Sequence, residues 1–158
     1  MSDPTGHAIR VYADTSVYGG MFDDVFQQSS KKFFDQVRLG RFELILSAVV
    51  RDELEAAPPN VRTFFRAVQS NAEIADITPA ALDLRDAYLA ARIVGKRWST
   101  DALHVALATV SGCRVIVSWN FKHIVHFQKI PLYNAVSAVH GYGPIAIHTP
   151  QEVTDYEE

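Results

Sequence analysis

Cysteine is nearly absent: Cys113 stands alone, which excludes an intrachain disulfide and any Cys-based zinc cluster and fits a reducing compartment. Long apolar runs are missing too. "RVIVS" and "FELILS" fall far short of the ~20 residues that span a bilayer, and "MSDPTGHAIR" has no signal-peptide core, so a cytoplasmic protein with no membrane contact is expected. Positive charge is not in excess: 15 Lys and Arg against 18 Asp and Glu leave a net charge of −3, without the global basic footprint of a non-specific duplex binder. Any contact with nucleic acid must come from a local patch. The six histidines are scattered and form no HExxH, and only His123 and His126 are spaced to share a helix face; solvated or capping histidines are the commoner case. No GxSxG elbow, P-loop or GxGxxG occurs, so acyl hydrolase, NTPase and dinucleotide-binding readings lack their key residues. "DTS" also lacks the second Asp of an aspartyl-phosphate phosphatase.

What is present is the material for one core. With 48% hydrophobic and 21% charged residues in 158, the chain reads as a single domain over 1–158, with flexible ends at 1–7 and 155–158. "AIRVYA" reads as a buried strand ending at Asp14, followed by a loop through "DTSVYGG". A helix follows in "SSKKFFDQVRLG", with Ser29 or Ser30 as N-cap and Gly40 beyond its end. "RFELILS" is a second strand, and Ser47 caps the helix "AVVRDELEAAP", halted by Pro58 and Pro59. "NVRTFFRAVQS" is amphipathic, "AEIADIT" a short strand, and Thr78-Pro79 opens a helix running towards Gly95. Ser99 or Thr100 caps "DALHVALATVSG", "CRVIVSW" is a buried strand, a short helix lies near "FKHIVHF", "LYNAVSAVHGYG" is helical, and "IAIHT" is the last strand. Solid apolar strands between amphipathic helices argue for an α/β fold with a mostly parallel sheet covered on both faces.

In such sheets, ligands bind outside the carboxyl ends of the strands. Asp14 follows the first strand, Asn120 follows "VIVSW", Asp101 opens the helix feeding that strand, and Glu53 rides on the helix after "FELILS". Each has an ordinary reading: Asp101 as a helix-dipole partner, Asp14 and Asn120 as turn residues, Glu53 as a solvated helix residue. If the first and fourth strands are neighbours, the four converge. Three carboxylates at one edge repel one another unless a cation neutralises them, and hard oxygen ligands favour magnesium or manganese.

"VYADTSVYGG", "LSAVVRDELEAAP" and "STDALHVALATVSGCRVIVSWNFKHI", in that order, resemble the PIN-domain proteins, in particular the VapC-type ribonuclease toxins, over roughly residues 9 to 150. The resemblance implies a three-layer α/β/α fold and Mg2+- or Mn2+-dependent endonucleolytic cleavage of RNA. Asp14, Glu53 and Asp101 match the family's acidic positions and would hold the metal. Asn120 takes a fourth catalytic position where many relatives carry Asp. Ser16 and Ser118 are small hydroxyls that would help hold water or phosphate. Arg51, Arg97, Lys122 and His123 lie close in sequence to these residues as substrate contacts, and Trp98 and Trp119 flank the site as stacking or packing residues. A cognate antitoxin and a homodimer are the partners implied. The alternatives are a PIN-like protein that binds RNA or a partner without cleaving, and a nuclease of RNA processing or DNA repair outside any toxin system.

Overall fold

The structure, a computed structural model, describes residues 8–154; the expected flexible ends at 1–7 and 155–158 lie outside the described residues. Five parallel strands form one sheet in the order β3-β2-β1-β4-β5, with β1 at Ile9–Ala13, β2 at Phe42–Ser47, β3 at Glu73–Ala75, β4 at Val115–Val117 and β5 at Ala146–His148. The chain winds from β1 outward to β3, then crosses back to β4 and β5. Right-handed crossovers therefore place the helices between β1 and β3 on one face and those between β3 and β5 on the other. The expected three-layer α/β/α architecture is the one observed, and β1 and β4 are adjacent, paired Val11 to Val115 and Ala13 to Val117. Winding reverses between them, which opens a crevice at their carboxyl ends.

The helices on the β1–β3 side are α1 (Thr15–Gly20), α2 (Gln27–Arg38), α3 (Ala48–Leu54) and α4 (Pro59–Gln69). Two begin differently from the sequence expectation. "DTSVYGG" is not a loop: α1 starts directly after Asp14 because Val17 and Tyr18 find burial beneath it. Its closing glycine is needed for space, since a Cβ at Gly20 would lie 2.5 Å from Ser30 Oγ and 2.8 Å from Trp119 Nε1. Ser30 does not cap α2, because it is buried and accepts the Trp119 indole N–H at 2.8 Å. Asp23 organises the entry instead, its Oδ1 accepting from Val25 N at 2.8 Å. Gly40 ends the segment as expected, with φ +81°. Ser47 caps α3 through Val50 N at 3.2 Å, and α3 stops at Leu54, short of the prolines.

On the other face lie α5 (Pro79–Ala90), a 3-10 turn at Lys96–Trp98, α6 (Ser99–Val110) and α7 (Ile130–Val139). Thr78 caps α5 through Ala81 N at 3.2 Å. The 3-10 turn runs straight into α6, so neither Ser99 nor Thr100 is a cap. From Ala102 to Thr109 every residue of α6 is buried, making it the central helix of its layer. The helix expected near "FKHIVHF" is absent: Ile124 N and Val125 N both bond the Asn120 carbonyl, and the turn does not propagate. A last helix, α8 (Pro150–Thr154), follows from a signal overlooked in the sequence, the capping box of Thr149 and Glu152, bonded reciprocally at 2.9 and 3.1 Å. Among the described residues no helix is long and apolar enough to cross a membrane.

Candidate active site

Asp14 occupies the crevice between β1 and β4. It is buried and makes no side-chain cap to α1; its oxygens instead accept Ser16 Oγ at 2.5 Å and Ser118 Oγ at 2.8 Å. The β1–β4 register delivers this second bond, since Ala13 pairs with Val117 and sets residues 14 and 118 side by side. Both hydroxyls are occupied elsewhere too, Ser16 accepting Trp119 N and Ser118 accepting Asn120 N, each at 2.9 Å. Their protons are thus directed at Asp14, so the structure makes them holders of that carboxylate.

Glu53 comes from the last turn of α3. Its Oε1 accepts Thr15 Oγ1 at 2.7 Å and faces His104 Nε2 at 2.6 Å. His104 is buried in α6, one turn past Asp101, with its Nδ1 at 2.7 Å from Tyr12 Oη, which in turn lies 2.8 Å from Ser47 Oγ. His104 Nε2–H donates to Glu53, and Tyr12 Oη links His104 Nδ1 to Ser47 Oγ, so every polar atom in this series has a partner. The network ties β1, both ends of α3, and α6. Sequence reasoning missed Tyr12, Thr15 and His104, although the Asp101-x-x-His104 spacing on one helix face was a readable sign.

The electrostatics separate the three carboxylates. Burial pushes Asp14 up, against the lowering effects of His104 and the two serines. Burial likewise pushes Asp101 up, against hydrogen bonding from Asn120 and the charge of His104. For Glu53, burial is outweighed by His104 and Thr15, which hold it below its ordinary range, while the carboxylates overcome burial to raise His104. Glu53 therefore has an internal partner in His104 that favours its charged form, whereas burial disfavours the charged forms of Asp14 and Asp101. That imbalance suits an added cation.

Asn120 joins the group with a defined orientation. Its Oδ1 accepts His123 N at 3.0 Å, an N–H that needs an oxygen, which turns the amide nitrogen towards Asp101, where it serves as a hydrogen-bond donor. Asn120 thus steadies Asp101 while one lone pair of its oxygen is taken by His123 N. Among the described residues no three His, Cys, Asp or Glu side chains close into a ready-made metal cage. Magnesium does not require one, because it is commonly held by one or two carboxylates, several waters and substrate phosphate; the oxygen donors of Asp14, Asp101 and Glu53 fit that mode.

A pocket of about 440 Å³ opens beside the carboxylates, and Glu53, Asp101 and Asn120 share its lining with Arg97, Trp98, Lys122 and His123. Arg51 is not brought in; it pairs with Asp52 at 3.5 Å on the exposed side of α3. His126 is not a partner of His123, its Nδ1 accepting Gln128 N at 3.2 Å. Trp119 is a packing residue, stacked on Phe26 with centroids 4.3 Å apart. A larger groove of about 680 Å³ lies at the opposite, amino ends of β1 and β2, away from these carboxylates.

Fold and site together describe a three-layer α/β/α protein with an acidic crevice at the switch of its sheet. The same fold occurs in solved structures. A chain of VapBC2 from Rickettsia felis, bound to a promoter DNA fragment, is similar with TM-score 0.60 and 14% identity, over 89% of this chain and 98% of that one. A toxin–antitoxin complex from Klebsiella pneumoniae is similar with TM-score 0.55 and 16% identity, over 72% and 88%. FitAcB from Neisseria gonorrhoeae is similar with TM-score 0.54 and 11% identity, over 89% and 97%. At these identities the likeness is one of fold. No protein-family model and no curated protein sequence matches the chain.

Proposed function

We propose that this protein is a Mg2+- or Mn2+-dependent endoribonuclease and the toxin of a type II toxin–antitoxin pair, acting on RNA in the cytoplasm. The observation that carries the reading is the convergence of Asp14, Glu53 and Asp101 at the β1–β4 crevice, where burial raises Asp14 and Asp101 in spite of the charge of His104. The solved toxin–antitoxin complexes that share its fold support an antitoxin as partner; a homodimer is the assembly that goes with this reading.

In this reading Asp14 and Asp101 are the principal ligands and Glu53 a third, direct or through water. A bound ion would polarise the scissile phosphate and lower the pKa of the attacking water. Ser16 and Ser118 hold Asp14, Asn120 holds Asp101, and His104 fixes the carboxylate of Glu53, which is placed to orient that water or accept its proton. Hydrolysis would leave 5′-phosphate and 3′-hydroxyl ends. A second reading, a protein that binds RNA or a partner without cutting, is favoured by one observation: the fourth position is the uncharged Asn120, turned by His123 N so that it donates to Asp101.

Purified protein incubated with magnesium or manganese on a panel of RNAs and single-stranded DNAs separates the two. Cleavage that EDTA stops, and that Asp14→Asn and Asp101→Asn abolish, is the expected result. Equal cleavage by the wild type and both variants would remove the site assignment, and an inert wild type would leave the binding reading. An antitoxin-sized reading frame immediately upstream of the gene is expected for the toxin role.

A further inference from the structure

On the side of the pocket facing Asp101, the 3-10 turn Lys96–Trp98 lays the Trp98 indole against His123, with centroids 4.5 Å apart and planes inclined by 29°. Two cations gather at the same indole: the Arg97 guanidinium carbon is 5.1 Å and Lys122 Nζ 5.4 Å from the ring centroid. Both side chains are exposed, and neither forms a salt bridge with any described residue. In a chain of net negative charge, two unpaired cations beside three carboxylates mark a place where phosphate is attracted.

His123 is the most informative member. It is 8% exposed, and neither ring nitrogen has a hydrogen-bond partner. Its backbone is held at both ends, N–H to Asn120 Oδ1 and carbonyl to Tyr133 Oη at 2.8 Å, so the ring is placed beside the pocket by the fold. A support for the indole needs only a flat apolar face, and a Phe would supply one without an unpaired donor and acceptor. An imidazole in that place suits a ligand that brings a hydrogen-bonding edge.

We propose that Trp98, His123, Arg97 and Lys122 form a nucleotide subsite adjoining the scissile position. The base of a single-stranded residue packs on the indole within reach of His123, and its phosphate lies between Arg97 and Lys122. This rests on the nuclease reading for the identity of the nucleic acid. Stacking on an aromatic face accepts any base, and phosphate contacts carry no sequence information. The subsite therefore demands a base and an open strand but not a particular sequence, and paired RNA, whose bases are already stacked, is excluded from it.

The test is binding measured apart from cleavage. In EDTA, Trp98 fluorescence is titrated with a short single-stranded RNA and with the same backbone lacking its bases. The wild type is expected to bind the base-containing strand about tenfold more tightly, with quenching that Trp98→Phe removes, because Trp119 is enclosed in the core. Trp98→Ala, followed by anisotropy of labelled RNA, should lose the preference for bases. Arg97→Ala with Lys122→Ala should flatten the dependence of log K on log salt by about 0.7, for the one phosphate the pair holds. His123→Phe keeps the flat support and should still weaken RNA binding.

Unchanged binding and base preference in Trp98→Ala would overturn the subsite, and unchanged affinity in His123→Phe would overturn the role of its ring nitrogens. The two readings fail separately. Cleavage that requires Asp14 but ignores Trp98 in both binding and rate leaves the nuclease and removes the subsite; base-dependent binding by a protein that cuts nothing does the reverse.

Discussion

At the scale of single residues, the site is governed by which proton goes to which oxygen. His104 is the centre of that arrangement, and its titration gives a signed prediction. Its pKa is raised above the ordinary 6.5, so the stability it gains from pairing with Glu53 is fully present below that ordinary value and is lost as pH rises through the raised one. Glu53 is depressed below its ordinary 4.5, so the same pairing is lost as pH falls through the depressed value. His104→Gln should therefore cost most stability between those two limits. With Glu53 39% exposed, solvent screening discounts the loss to about 1–3 kcal/mol. Urea melts across pH in EDTA would show it, and a difference between wild type and variant that is flat with pH would count against the ion pair. Ser118→Ala removes one donor to Asp14 and the acceptor for Asn120 N. It should cost about 1–3 kcal/mol and lower cleavage roughly 10- to 100-fold, as loss of a group that orients a metal ligand does. Stability from urea melts and rates under single-turnover conditions measure the two effects.

At the scale of elements, the strand ends and the caps of α3 and α5 were legible, whereas the starts of α2 and α6 and the short connecting turns were not. Ser47 and Thr78 cap α3 and α5 where the sequence places them, because an N-cap is a local bond between a side chain and an amide three residues on. The helical state of Thr15–Gly20 was not readable, because it depends on burial of Val17 and Tyr18 under distant side chains and on the approach of Trp119 and Ser30 to Gly20. That approach makes a specific prediction. Gly20→Ala drives a methyl group into Ser30 Oγ and Trp119 Nε1, and overpacking of this kind costs about 1–3 kcal/mol. Near-ultraviolet circular dichroism should register displacement of Trp119, and an unaltered spectrum with an unaltered urea midpoint would show that the wall yields freely. Asp14 moves with α1, so reduced cleavage should accompany the loss.

At the scale of the whole molecule, the strand order decides where chemistry occurs. Reversal of winding between β1 and β4 brings Asp14 and Ser118, which are 104 positions apart, within 2.8 Å, and α6 brings Asp101 and His104 over the same opening. A cation bound there would stabilise the folded state by mass action, about 2.7 kcal/mol at a concentration one hundred times its Kd. Melting temperature should thus rise with magnesium or manganese in the wild type and stay flat in Asp14→Asn. A rise of equal size in both would place the ion elsewhere.

The sequence by itself determined the alternation of apolar strands and amphipathic helices, and with it the α/β class and the placing of Asp14 and Asn120 at strand ends. These follow from periodicity and local capping, which act over a few residues. Only the tertiary structure decided that His104 meets Glu53 inside the site, that Ser16 and Ser118 hold Asp14, and that Asn120 turns its nitrogen to Asp101. Each of those is a hydrogen-bonded or charged contact whose direction depends on strand register, burial and the competing partners nearby, and in a low-dielectric crevice such contacts outweigh what any local stretch of chain prefers.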